Sequence, residues 1–210
     1  VETPLNALVV LEDGPIKSLA DLKGKTVGFS VGGFEDALLG MMLEQEGLSL
    51  DDVTLVNVNF SLSPSLFAGQ VDAVIGAFRN FELNQMDIEK RPGLAFYPEE
   101  NGVPAYDELI FLARNDALGD PRYARFMAAI EAATIWLTNH PQEGWELFAA
   151  GHPELDDELN RRAWFDTLPR FAKRPSALDT GRYKRFAKFM KERGLIEEIV
   201  PVESYAVELR

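Results

Sequence analysis

Cysteine is absent from all 210 residues. That excludes disulfides, thiol nucleophiles and cysteine-ligated metal centres. Histidine is almost absent. His140 and His152 each precede a proline in loop segments, with no partner at metal-ligand spacing, so a zinc site has no support. No Ser–His–acid set or GxSxG setting stands out. Basic residues are scarce: 21 Lys and Arg against 34 Asp and Glu give a net charge of −13. That leaves no basic footprint for nucleic acid. No apolar run is long enough to cross a bilayer. No leader-like segment is present, and the chain opens at Val1 without an initiator Met, which reads as a processed or trimmed chain. Internal repeats and low-complexity linkers are missing too.

What is present is apolar material. Hydrophobic residues make up 46% of the chain, enough for one large domain or two small lobes. The organising stretch is Ser18–Leu48. Ser18 with Asp21 reads as a helix cap. Lys25–Ser30 is short, β-branched and bounded by glycines, a strand pattern. Val31-Gly32-Gly33 turns the backbone. Phe34–Gln45 then carries Ala37, Leu38, Met41 and Met42 at helical spacing, with Glu35 and Asp36 in the first turn. A strand that runs through glycines into a helix is where α/β proteins bind ligands. The turn lacks GxGxxG order and a Walker ending, and its acids disfavour phosphate. It is either a plain connection or a set of donors, Ser30, Gly32 and Gly33, for a small polar solute.

The rest of the chain extends this unit. Leu5–Leu11 reads as a buried strand, as do Val53–Phe60, Val71–Gly76, Leu94–Tyr97 and Leu109–Ala113. Ser65–Gln70 is a short helix, and a further helix begins within Ala77–Met86. This alternation predicts parallel βαβ units from Ile16 to about Leu94. After Asp120-Pro121 the pattern is helical: Tyr123–Asn139, Pro141–Ala150, Glu154–Phe165 and Asp179–Arg193. Trp136, Trp145 and Trp164 fall at core-facing positions. Arg182–Arg193 is basic along one face, which either pairs with acids of its own fold or faces a partner.

Two polar constellations remain. Phe78-Arg79-Asn80-Phe81-Glu82 follows the strand Val71–Gly76. Its Asn and Glu suit the edge of a flat ring, and its aromatics suit the ring's face; otherwise Phe78 and Phe81 are core. Tyr106-Asp107-Glu108 lies between the βαβ block and the helical block, at the expected hinge of a cleft. There Tyr106 would cover an aromatic ligand, and Glu108 or Asp107 would take its amino group. Otherwise Asp107 caps local backbone and Glu108 is solvated.

SLADLKGKTVGFS followed by a glycine turn and helix resembles type II periplasmic solute-binding proteins of ABC importers. PLNALVVLEDGPIKSLADLKGKTVG, GAFRNFELNQM and NGVPAYDELIFLARND resemble the NMT1/THI5-like branch, which includes receptors for hydroxymethylpyrimidine or formylaminopyrimidine. The resemblance spans essentially the whole chain. It implies an α/β fold of two lobes, with the N-terminal part of the first lobe missing here. Residues 1–15 would be part of lobe 1 and the first hinge segment, 16–98 lobe 2, and 99–210 the second hinge segment and the rest of lobe 1. It also implies a thiamine-precursor pyrimidine held in the cleft, a membrane ABC permease as partner, and a periplasmic or extracellular, membrane-associated location. No cofactor, metal or catalysis is implied. Tyr106 and Glu108 are the leading ligand-binding candidates. Asn80 and Glu82 come next, then Ser30, Gly32, Gly33 and Phe34, with Phe78 and Asp107 beside them. Eukaryotic synthases on this fold use a cysteine-rich motif that this chain lacks. A pyrimidine-synthase-like enzyme and the effector domain of a LysR-type regulator are the alternatives. With a lobe incomplete, exposed edges are expected to make the chain unstable alone or self-associating.

Overall fold

The apolar run near the amino terminus forms the strand it predicts, and that strand lies inside the sheet. The structure is a computed structural model that describes residues 1–209. β1 (Asn6–Leu11) lies between β4 (Ala73–Phe78) and β5 (Gly93–Phe96), antiparallel to both. β2 (Thr26–Phe29) and β3 (Thr54–Asn57) run parallel to β4, and the sheet order is β3-β2-β4-β1-β5.

Side chains along β1 alternate between faces. Leu8 and Val10 pack with Val27, Ile75 and the Leu39, Met42 and Leu43 of α1 (Glu35–Glu44). Ala7 and Val9 pack the other way, with Val74, the Leu62 and Leu66 of α2 (Leu62–Phe67), and Met86 of α3 (Glu82–Ile88). Both faces are covered, which is why these strands read as unbroken apolar runs. The chain moves outward from β2 to β3, then returns across β2 to β4 and changes sheet face. The switch point therefore lies between the carboxyl ends of β2 and β4, where such sheets bind ligands. The cap at Ser18 forms as expected: its N–H and its hydroxyl both donate to Asp21 at 2.9 Å.

Four helices follow: α4 (Pro121–Asn139), α5 (Pro141–Gly151), α6 (Glu158–Thr167) and α7 (Thr180–Glu192). They sit against the α/β block at two places. α6 meets the α3 region through Asn80–Thr167 and Asn84–Asp166, both 2.7 Å, and Arg162–Asp87, 2.5 Å. α7 lays Phe186 and Phe189 on Tyr106, Val103 and Leu38. Trp145 is buried, and Trp164 stands 6.0 Å from it while donating to Pro141 O at 3.0 Å. Part of the basic 182–193 stretch pairs with the chain's own acids: Arg182 with Asp107, Lys188 with Glu192 and, just past α7, Arg193 with Glu44.

One expectation is corrected. Leu109–Ala113 is not a strand. Leu109, Ile110, Phe111 and Leu112 are 55%, 56%, 61% and 87% exposed, and no strand among the described residues pairs with them. Strand propensity cannot act without a neighbour to take the backbone hydrogen bonds. Phe111 rests edge-on against Phe126 of α4, itself exposed, so an apolar surface is left open there. Within residues 1–15, Asn6–Leu11 shares a sheet with the strands of 16–98. β1 is the fourth strand of its five, because the backbone of Asn6–Leu11 is hydrogen-bonded on both sides.

Candidate functional site

The switch point is shaped by a bulge. Ala7 pairs with Ala77 and Leu8 with Ile75, so Gly76 is the extra residue of β4. Its φ is +98°, and its N–H donates to the Asn6 side chain at 3.2 Å. A Cβ on Gly76 would lie 2.4 Å from a carboxylate oxygen of Glu35. Glycine is required there both for the backbone conformation and for the space.

Glu35 is the first residue of α1 and is 6% exposed. It reaches back to accept from the N–H groups of Ser30, 2.7 Å, and Val31, 3.1 Å. Glu82, the first residue of α3, repeats the device and accepts from Phe78 N–H at 2.7 Å. Each acid latches the turn between a strand and its helix. Burial raises the pKa of both above the usual carboxylate value, against the pull of those N–H groups; for Glu35 the charges of Asp36 and Glu108 add to the rise. The fold therefore favours the neutral acid. That contribution is complete below the unfolded-state pKa and is lost as pH rises through the folded one. Glu82→Gln keeps an acceptor and removes the buried charge. It is expected to gain stability at pH 7, a gain that shrinks toward zero as pH falls to the ordinary glutamate value of 4.5. Urea denaturation at several pH values measures it.

Glu108 makes a latch of the same kind. One oxygen accepts from Leu5 N–H at 2.9 Å and Asn6 N–H at 3.3 Å, fastening the Tyr106–Glu108 segment to the start of β1. No lysine or arginine among the described residues pairs with Glu35 or Glu108. Tyr106 is buried, stacked on Phe186 at 4.8 Å and edge-on to Phe34 at 5.7 Å. Burial, then the charge of Glu108, pushes its hydroxyl well above the usual tyrosine value.

The glycine turn and the Tyr106–Glu108 segment therefore meet, through Phe34 and Tyr106. The Phe78–Glu82 corner joins them through β1, since Arg79 N–H donates to Leu5 O and the Arg79 guanidinium to Asn6 O. Arg79 also grips Glu99 with two bonds of 2.7 and 2.9 Å, a bidentate clamp, and stacks on Tyr97. The polar side chains of that corner have partners within the fold. Asn80 donates to Thr167 of α6, and Glu82 is latched to Phe78. Asp107 pairs with Arg182. Ser30 accepts from Phe60 N–H, and Gly32 and Gly33 are open to solvent. Asn6, Glu35, Phe60 and Gly76 were not among the expected site residues. The traces in the sequence were an Asn inside an apolar run and an acid just beyond the paired glycines. A cavity of about 450 Å³ lies at a second place, between Thr3, Arg79, Tyr97, Asp166 and Arg170.

The NMT1/THI5 like family model matches residues 1–144. The chain belongs to the NMT1/THI5-like family. Among curated relatives, a Haemophilus influenzae protein named for thiamine biosynthesis is 55% identical over 210 residues, 100% of this chain and 67% of that protein. The formylaminopyrimidine-binding protein of Halalkalibacterium halodurans is 31% identical over 162 residues, 76% of this chain and 49% of that protein. Relatives named 4-amino-5-hydroxymethyl-2-methylpyrimidine phosphate synthase also match, at 23–24% identity. Among solved structures, the periplasmic aliphatic sulphonate binding protein SsuA of Escherichia coli superposes with a TM-score of 0.72 at 17% identity, over 100% of this chain and 67% of that one. The α/β fold of type II periplasmic binding proteins is therefore that of this family member, and the chain spans about half to two thirds of the relatives it matches.

Proposed function

We propose that this family member is the ligand-binding part of a receptor for a small aminopyrimidine thiamine precursor, delivering it to an ABC permease at the outer face of a membrane. The observation that carries the reading is the pair Glu35 and Glu108 at the switch point, two acids without a cationic side chain between them. A 4-aminopyrimidine offers them an amino group and a ring nitrogen that takes up a proton, an edge that two carboxylates suit. The same pair opposes an anionic sulfonate, so it would set specificity by repulsion as well as attraction. The name of the Halalkalibacterium relative supports the ligand class. We place the ligand-binding group at Glu108 and Tyr106 of the hinge, Ser30–Phe34 of the glycine turn and Phe78 of the corner. Asn80, Glu82 and Asp107 act by fixing these segments. Lobe 2 is proposed as 16–98 with β1 added, and 99–210 as hinge and helical lobe.

Calorimetry on the full-length protein tests this. Formylaminopyrimidine or 4-amino-5-hydroxymethyl-2-methylpyrimidine is expected to bind one to one, with a Kd near or below about 1 μM and a negative heat-capacity change. An alkanesulfonate is expected to give no heat. Sulfonate binding without pyrimidine binding overturns the reading. Turnover of a pyrimidine would replace it with the synthase reading.

A further inference from the structure

Asn59 and Phe60 are consecutive non-glycine residues with positive φ, 47° and 64°. Asn tolerates this region; a bulky side chain is strained there. The strain is held by specific bonds. Asn59 N–H donates to the Asn57 side chain at 2.9 Å, and Phe60 N–H donates to Ser30 Oγ at 3.1 Å. The second bond ties the end of β3 to the glycine turn after β2. What this arrangement presents is a phenyl ring that is 76% exposed, at the carboxyl edge of the sheet beside Ser30–Phe34. Core packing accounts neither for the backbone nor for the ring's exposure. Strained residues that the surroundings hold in place collect at binding sites.

We propose that Phe60 is the ring that covers the bound ligand, lying on the face of a planar aromatic ring while Glu35 and Glu108 take its amino edge. Ser30 is then a positioning residue: its hydroxyl accepts from Phe60 N–H and sets where the ring stands. This rests on the aminopyrimidine-receptor reading and deepens it, because Phe60 would select for a flat π face where the two acids select for charge.

The test is calorimetry with formylaminopyrimidine, alongside thermal melts, on the full-length protein and its Phe60→Gly, Phe60→Leu and Phe60→Tyr variants. Phe60→Gly is expected to bind about tenfold more weakly and to melt at the same temperature or higher, since glycine adopts this φ freely. Phe60→Leu keeps apolar bulk without a π face and is expected to lose affinity alike, while Phe60→Tyr retains it. Ser30→Ala should weaken binding with little change in melting. If the parent protein binds the pyrimidine and both Phe60→Gly and Phe60→Leu bind it as tightly, the inference falls and the receptor reading stands. If the parent binds no pyrimidine, both fall.

Discussion

Replacing Glu108 with glutamine is expected to weaken aminopyrimidine binding by about 2 kcal/mol, a factor of roughly thirty, while barely moving the melting temperature. The two effects separate because one oxygen of Glu108 does the structural work, accepting from Leu5 and Asn6 N–H. Glutamine keeps that acceptor. It loses the charge, and hydrogen bonds to charged groups contribute about 1.5–3 kcal/mol. Glu108→Ala should differ in kind: two N–H groups at the start of β1 lose their acceptor, and stability falls together with affinity. Calorimetry paired with urea denaturation tells the two variants apart. Equal binding by parent and Glu108→Gln would remove this residue from the ligand site.

The second large effect belongs to Gly76→Ala. An alanine must adopt φ +98° and place its Cβ 2.4 Å from a Glu35 oxygen. Left-handed backbone costs about 1–2 kcal/mol, and displacing a buried carboxylate from its N–H partners costs about 1–3 kcal/mol more. A total near 3 kcal/mol is expected. Gly33→Ala is the control. Its φ is +88°, yet nothing lies within 4 Å of a Cβ there, so only the backbone part remains. Glu35→Ala should then relieve part of the loss at Gly76→Ala and none of it at Gly33→Ala, a coupling read from a double-mutant cycle. Additive losses would mean that the bulge and the acid are independent.

The strands and most helices were legible because β1 and β4 are buried on both faces and carry that burial as continuous apolar runs. The cap at Ser18 was legible because both partners lie within four residues. What was not legible depends on distant neighbours. Leu109–Leu112 has the composition of a strand, but composition does not supply the strand beside it. Gly76 reads as the end of a strand; its bulge exists because of Asn6, seventy residues away, and of Glu35. Glu82 reads as a ligand group, and only the fold reveals that its carboxylate is spent on Phe78 N–H. The polar side chains of the Phe78–Glu82 corner brace the fold, while an acid read as a helix-dipole partner, Glu35, is buried as the latch of the glycine turn.

A crystal structure of the full-length protein grown with formylaminopyrimidine decides the matter. This account predicts density for the ring at the carboxyl ends of β2 and β4, its amino edge within hydrogen-bond distance of Glu108 and Glu35. Density in the cavity between Thr3, Arg79 and Arg170 instead, with the two acids untouched, would contradict it.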